Sequence, residues 1–225
     1  MNLSKPLTSI APSLEGEVLT VLARVRAGFT APQVVRVMGS GSARGVRNTL
    51  NRLVDEGLVN HSQAGHTGIY ELNREHLALP YIMGIVNLRE EFMKKMGEEL
   101  AEWEIKPEFA ALFGSASRND MHSKSDVDVF IVAPEAVRGD IYDGLSQWHK
   151  QLRDFTDKAC GWSGRDVRPF VLTPDKVKVE LSLNGSTINA IADAGRAFFG
   201  DPDFIRKARK EVREVLAAGG NFEVL

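Results

Sequence analysis

The stretch from Phe109 to Ala133, FAALFGSASRNDMHSKSDVDVFIVA, limits this chain more than any other. An apolar run closing on Leu112 and Phe113 predicts a short strand, and Gly114-Ser115 breaks it. A polar connection follows, and Asp126-Val127-Asp128-Val129 opens a second strand. Side chains alternate along a strand, so Asp126 and Asp128 share one face and Val127 and Val129 the other. Two carboxylates held this close repel one another and resist desolvation unless a cation or a proton lies between them. Hard oxygen ligands of this kind suit Mg²⁺, which takes one or two carboxylates and completes its shell with substrate phosphates. Gly114 has no Cβ and lets the backbone approach a phosphate, while Ser115 adds a hydroxyl beside exposed N–H groups. A phosphate cradle next to a metal-binding pair is the equipment of phosphoryl or nucleotidyl transfer.

Gly114-Ser115, ten intervening residues and then Asp126-Val127-Asp128 resembles the signature of the DNA polymerase β-like nucleotidyltransferase superfamily. The likeness is greatest to the minimal nucleotidyltransferase domains, which run Phe-Gly-Ser, a basic residue, then Ser-Asp-hydrophobic-Asp. Arg118 and Ser125 fill the ancillary places. The resemblance implies a nucleoside triphosphate (NTP) as substrate or ligand, held by Gly114, Ser115, Arg118 and Ser125, with Mg²⁺ on Asp126 and Asp128. It also implies a third carboxylate on the strand after the pair. The run there, Val167-Arg168-Pro169-Phe170-Val171-Leu172, has no acid, so Asp166 at its start is the candidate third catalytic residue. The other reading of an Asp-x-Asp pair is a solvated strand edge.

The front of the chain follows a different logic. Leu14, Val18, Val21, Leu22 and Val25 recur at helical steps behind Ser13 as N-cap, and a second helix fits Ala31 to Met38 with Pro32 in its first turn. A third helix is capped by Ser42 and stopped by Gly57, with Val46, Leu50, Leu53 and Val54 on one face. Arg44, Arg47, Asn48, Asn51 and Arg52 occupy the remaining arc. Leu58 to His61 and Ile69 to Leu72 read as two strands around a hairpin tip that carries His66. Three helices and a β-hairpin resemble the winged helix-turn-helix of MarR- and ArsR-type regulators, which implies double-stranded DNA as partner and Arg44, Arg47, Asn48, Asn51, Arg52 and His66 as contacts. From Arg24 to Tyr70 the charged residues are Arg24, Arg26, Arg36, Arg44, Arg47 and Arg52 against Asp55 and Glu56, a basic excess within a chain of net charge −2. Phosphate contacts need such an excess. A solvated arginine-bearing helix, or a wing used for protein contacts, is the alternative.

The expected fold class is α+β, a winged helix-turn-helix followed by a nucleotidyltransferase-fold domain with a small mixed sheet and C-terminal helices. Boundaries are expected at 1–12 for a loose arm, 13–78 for the DNA-binding domain, 79–106 for a connecting helix and 107–225 for the transferase-like domain. The connecting helix carries Ile82, Ile85, Val86, Leu88, Phe92, Met96, Leu100 and Trp103, a stripe suited to core packing or to a homodimer seam. A helix is expected from Asp140 to Ala159, a loop over Gly161–Gly164, a strand from Asp166 to Leu172 and a helix capped by Thr173. Two helices are expected from Thr187 to Ala217, broken at Gly200-Asp201-Pro202; the last bears Arg206, Lys207, Arg209, Lys210 and Arg213, a nucleic-acid surface or a solvated face. The single Cys160 forms no internal disulfide, no run is long enough to cross a bilayer, and a reducing cytoplasm is the expected location. The expected role is a DNA-binding nucleotidyltransferase. The alternative is a regulator whose transferase-like domain senses nucleotide or dimerises, and the family resemblance implies toxin–antitoxin autoregulation as a setting for either.

Overall fold

In a computed structural model, residues 1–122, 124–137, 144 and 146–222 are described. They divide into two compact units, one spanning Ser4–Arg89 and the other Glu90 onward, with Asn2 joining the first and Met1 and Leu3 the second.

The N-terminal unit comprises α1 (Pro6–Ile10), α2 (Leu14–Arg24), α3 (Ala31–Met38), α4 (Ala43–Asp55), a hairpin of β1 (Val59–Ala64) and β2 (Thr67–Leu72), and α5 (Leu79–Val86). Residues 1–12 are therefore no loose arm: Pro6 starts a helical turn and Leu7 is buried in the unit's core. Start signals are made by side chains. Thr30 and Gln33 form a reciprocal capping box on α3, and the Ser42 hydroxyl accepts from Gly45 N–H at 3.0 Å to begin α4. Val18, Leu22, Val34, Val46, Leu50, Leu53, Val59 and Leu72 make the core. The anticipated long connecting helix is broken at Asn87 into α5 and α6 (Leu88–Ala101). Phe92, Met96 and Leu100 from the proposed seam are buried in the C-terminal core, so they do not form a surface.

The C-terminal unit is built on strands β3 (Phe109–Phe113), β4 (Val127–Val132), β5 (Val167–Leu172) and β6 (Arg196–Gly200). Among the described residues they form one mixed sheet in the order β5-β4-β3-β6. β4 runs antiparallel to β3 and parallel to β5, and the helix α8 (Gln147–Ser163) supplies the crossover that a parallel pair requires. Helices cover both faces, so β4 is apolar on both sides. Val127, Val129 and Ile131 pack with Met96, Leu100, Trp148 and Phe155. Phe130 and Val132 pack with Val177, Leu181, Ile188 and Ile205 from α9 (Pro174–Ser182), α10 (Ser186–Ala194) and α11 (Phe204–Ala217). Asp128 interrupts this second face.

Several expectations are corrected here. The polar connection after Gly114 contains a one-turn helix, α7 (Gly114–Arg118). α8 extends through the anticipated loop to Ser163 and ends at Gly164; Asp140, Ile141 and Leu145 lie outside the described residues. Thr173 stands at the N-cap of α9 with Pro174 behind it, but its hydroxyl makes no capping bond and is buried with no partner among the described residues. β6 replaces helix after Gly195, because residues 196–200 gain backbone hydrogen bonds from the edge of β3 that local sequence does not announce. Four of the five basic residues on α11 are paired locally: Arg206 with Asp203, Lys207 with Asp201, Arg209 with Asp193 and Lys210 with Glu214.

Candidate functional site

The acidic couple and the glycine-serine bend meet. In the β3–β4 register Phe113 lies opposite Asp128, so the residue after the strand, Gly114, is carried onto the aspartate. Gly114 has φ +67°, and a Cβ there would overlap the Asp128 Oδ2 atom and stand 3.2 Å from its Cγ. Two separate reasons thus demand glycine: a left-handed backbone and no room for a side chain. Ser115 is half-buried in α7, and its carbonyl accepts from Asp120 N–H at 3.1 Å. Arg118 ends α7 with its Nε 3.2 Å from Asp120.

Asp126 immediately precedes β4, and Asp128 is its second residue. Burial pushes the Asp128 carboxyl above the usual aspartate range, and the negative charge of Asp126 pushes it the same way; Arg168 and then Arg118 oppose them. Ser125 is buried and its hydroxyl accepts from His122 N–H at 3.0 Å, so it closes the loop that delivers Asp126. Asp166 contributes its main chain to the sheet, where its carbonyl accepts from Val127 N–H at 2.9 Å. Its exposed side chain lines a surface cleft with Asp126, Lys124, Ser125, Cys160, Gly164 and Arg165.

One residue beside the acidic couple has no role that its sequence position announces. Parallel pairing sets Arg168 of β5 beside Asp128 of β4. Its Nη1 reaches Asp126 Oδ2 at 2.8 Å, with the arginine side chain 68% exposed and the aspartate 27%. A signal was present: Arg168 is the second residue of its strand, as Asp128 is of its own. Only the register converts that coincidence into a neighbour.

Whether the carboxylates suit Mg²⁺ can be tested on their surroundings. Among the described residues no group of three or more His, Cys, Asp or Glu side chains could hold a metal, so a cation here would have Asp126 and Asp128 alone. Two hard carboxylates, one half-buried and deprived of water, need positive charge, and together with phosphate oxygens they meet the requirements of Mg²⁺. The donor set fits.

In the N-terminal unit, Arg44, Arg47, Asn48 and Asn51 are exposed at positions spaced three and four along α4, one stripe on the outer side of the helix. The Asn51 amide oxygen accepts from Tyr70 O–H at 3.1 Å, which steadies the base of the stripe. Arg52 leaves the group: its guanidinium turns to Glu15 of α2, with Nη2 2.9 Å from the carboxylate. His66 is exposed at the hairpin tip, next to Gly65.

Comparison with known proteins bears on the C-terminal unit. Residues 93–160 match the family model described as a nucleotidyltransferase domain. The match takes in β3, the Gly114-Ser115 bend and both aspartates, and ends before β5. No curated protein sequence matches the chain. Among solved structures, one described as a toxin-antitoxin with AMP-PNP shares 16% identity over 56% of this chain and 87% of its own, at a TM-score of 0.37. A mutant of the toxin-antitoxin MntA-HpeT shares 14% over 56% and 87%, at 0.36. Among the described residues no helix is long and apolar enough to cross a membrane.

Proposed function

We propose that the C-terminal unit transfers a nucleotidyl group from a nucleoside triphosphate to an acceptor hydroxyl, and that the N-terminal unit is a winged helix-turn-helix that binds double-stranded DNA. The observation that carries the first half is the packing of Gly114, at φ +67°, against the carboxylate of Asp128. It brings backbone able to approach a polyphosphate and a carboxylate couple able to hold its cation to one point, inside the segment that matches the nucleotidyltransferase domain.

In this reading Gly114 and Ser115 receive the triphosphate, Arg118 neutralises part of its charge, and Asp126 and Asp128 hold Mg²⁺. When bound, Mg²⁺ polarises the α-phosphate and offsets the charge of the departing pyrophosphate. The acceptor oxygen forms a bond to the α-phosphorus as the bond to the bridging α–β oxygen breaks, and the hydroxyl proton leaves to Asp166 or to solvent. Asp166 is an exposed carboxylate at the same cleft as Asp126, which supports giving it the proton.

A second reading has its own observation. Arg168 stands on the strand where the family resemblance implies a third carboxylate. Loss of a general base typically costs ~10²–10⁴ in rate, which favours a regulator whose transferase-like domain binds nucleotide and turns it over slowly or not at all. Incubating the chain with α-labelled ATP, GTP, CTP and UTP and Mg²⁺ separates the two. Label transfer abolished by Asp126→Asn with Asp128→Asn supports the enzyme. Saturable binding without transfer supports the sensor, and neither binding nor transfer with any nucleotide removes both.

A further inference from the structure

The guanidinium of Arg168 lies where a polymetal site would need negative charge. Asp126 and Asp128 alone carry two negative charges, and a third carboxylate on β5 would make three. With arginine at that position the cluster of Asp126, Asp128 and Arg168 has a net charge of one negative. The contact is direct: Nη1 of Arg168 is 2.8 Å from Asp126 Oδ2. It is also imposed by the fold, because the β4–β5 register places residue 168 beside residue 128 and leaves its side chain level with both carboxylates.

We infer that Arg168 is the resident cation of this site: it holds Asp126 in the free protein, competes with a divalent ion for that carboxylate, and limits the site to one such ion per chain. This rests on the reading of Asp126 and Asp128 as cation ligands given above. Pairing with a guanidinium removes one Asp126 oxygen from the ligands a metal ion can reach. A fixed positive charge beside the remaining carboxylate also repels the incoming ion, by roughly tenfold in affinity at water-like screening. The pair is largely exposed on the arginine side, so it is weak enough to open. A triphosphate would give the guanidinium a second partner. Phosphate oxygens accept from arginine at least as well as a carboxylate does, so nucleotide draws Arg168 off Asp126 and opens that carboxylate to the ion. The ion and the nucleotide then enter together.

The test reads Mn²⁺ binding to the full chain by the loss of its free-ion paramagnetic resonance signal, without nucleotide and then with a non-hydrolysable ATP analogue. Wild type is expected to bind one ion per chain. Arg168→Ala binds it roughly tenfold more tightly without nucleotide and shows less further gain when the analogue is added. Arg168→Lys, which keeps the charge, stays near wild type. Arg168→Asp supplies the third carboxylate and binds a second ion. Equal Mn²⁺ affinity in wild type and Arg168→Ala, or weaker binding in the variant, overturns the inference and leaves the proposed function standing. Binding that survives Asp126→Asn with Asp128→Asn, or no binding by wild type and Arg168→Ala alike, removes the reading of the aspartates themselves.

Discussion

Substituting Gly114 probes the bend and the carboxylate together. Alanine at this position meets two costs. A left-handed backbone with a Cβ is worth about 1–2 kcal/mol, and the new methyl overlaps Asp128 Oδ2. The carboxylate is the end of a short side chain and swings aside rather than resisting, so that second cost lies at the low end of overpacking, about 1 kcal/mol. Truncating Asp128 to alanine separates the two, because only its Cβ would remain, 3.4 Å from the new methyl and in ordinary contact. Gly114→Ala is therefore expected to destabilise the C-terminal unit by about 2–3 kcal/mol in the parent. In an Asp128→Ala background the cost falls to about 1–2 kcal/mol. Denaturant unfolding of the four chains of this double-mutant cycle gives the coupling, with an expected value near 1 kcal/mol. Label transfer from nucleotide should show a larger effect, since a displacement of about 1 Å in a catalytic arrangement costs roughly 10²-fold in rate. Strict additivity, with coupling below about 0.3 kcal/mol, would refute the reasoning, because it would mean that residues 114 and 128 do not touch.

Three further outcomes follow from the same geometry. The folded protein raises the Asp128 carboxyl above its ordinary value of 3.8, so the native state holds that proton more tightly, and stability declines as pH rises from 3.8 through the folded value. Asp128→Asn should therefore melt higher than the parent at neutral pH, with the advantage vanishing in acid; a lower melting temperature at neutral pH would contradict the sign. Leu50 is fully buried in the N-terminal core, and Leu50→Ala should cost about 2–5 kcal/mol, measured by urea unfolding of that unit. If α4 reads duplex DNA, Arg47→Ala should weaken anisotropy-measured binding and reduce the salt slope by about one. Arg52→Ala should do less, because its guanidinium is already held by Glu15; equal effects would place the wrong face on the DNA.

Much of this was legible in residue order because it depends on neighbours in sequence. The Ala31–Met38 helix could be read from Pro32 and periodicity, and the 167–172 strand from an apolar run between a glycine-bearing loop and Thr173-Pro174. The 59–72 hairpin followed from two short strands around Gly65. Misreadings fell where a distant partner decided the outcome. Residues 196–200 became a strand because β3 had an open edge. Leu7 became core because the N-terminal unit's other helices gave its short segment something to pack on. Thr173 has the right residue type and place for a cap, yet its buried hydroxyl makes no capping bond to α9.

The same division runs through the candidate site. Gly114, Asp126 and Asp128 could be picked out as candidates from the sequence alone, since that choice depends on residue type and on spacing along two adjacent strands. Register is a property of two strands and not of either one, and so tertiary structure alone decided what surrounds them. It pressed Gly114 onto Asp128, turned Ser125 to its own loop, left Asp166 at the rim of a cleft and laid Arg168 across Asp126. Arginine at residue 168 reads as nothing until the parallel pairing of β4 with β5 brings it beside Asp128 and into contact with Asp126.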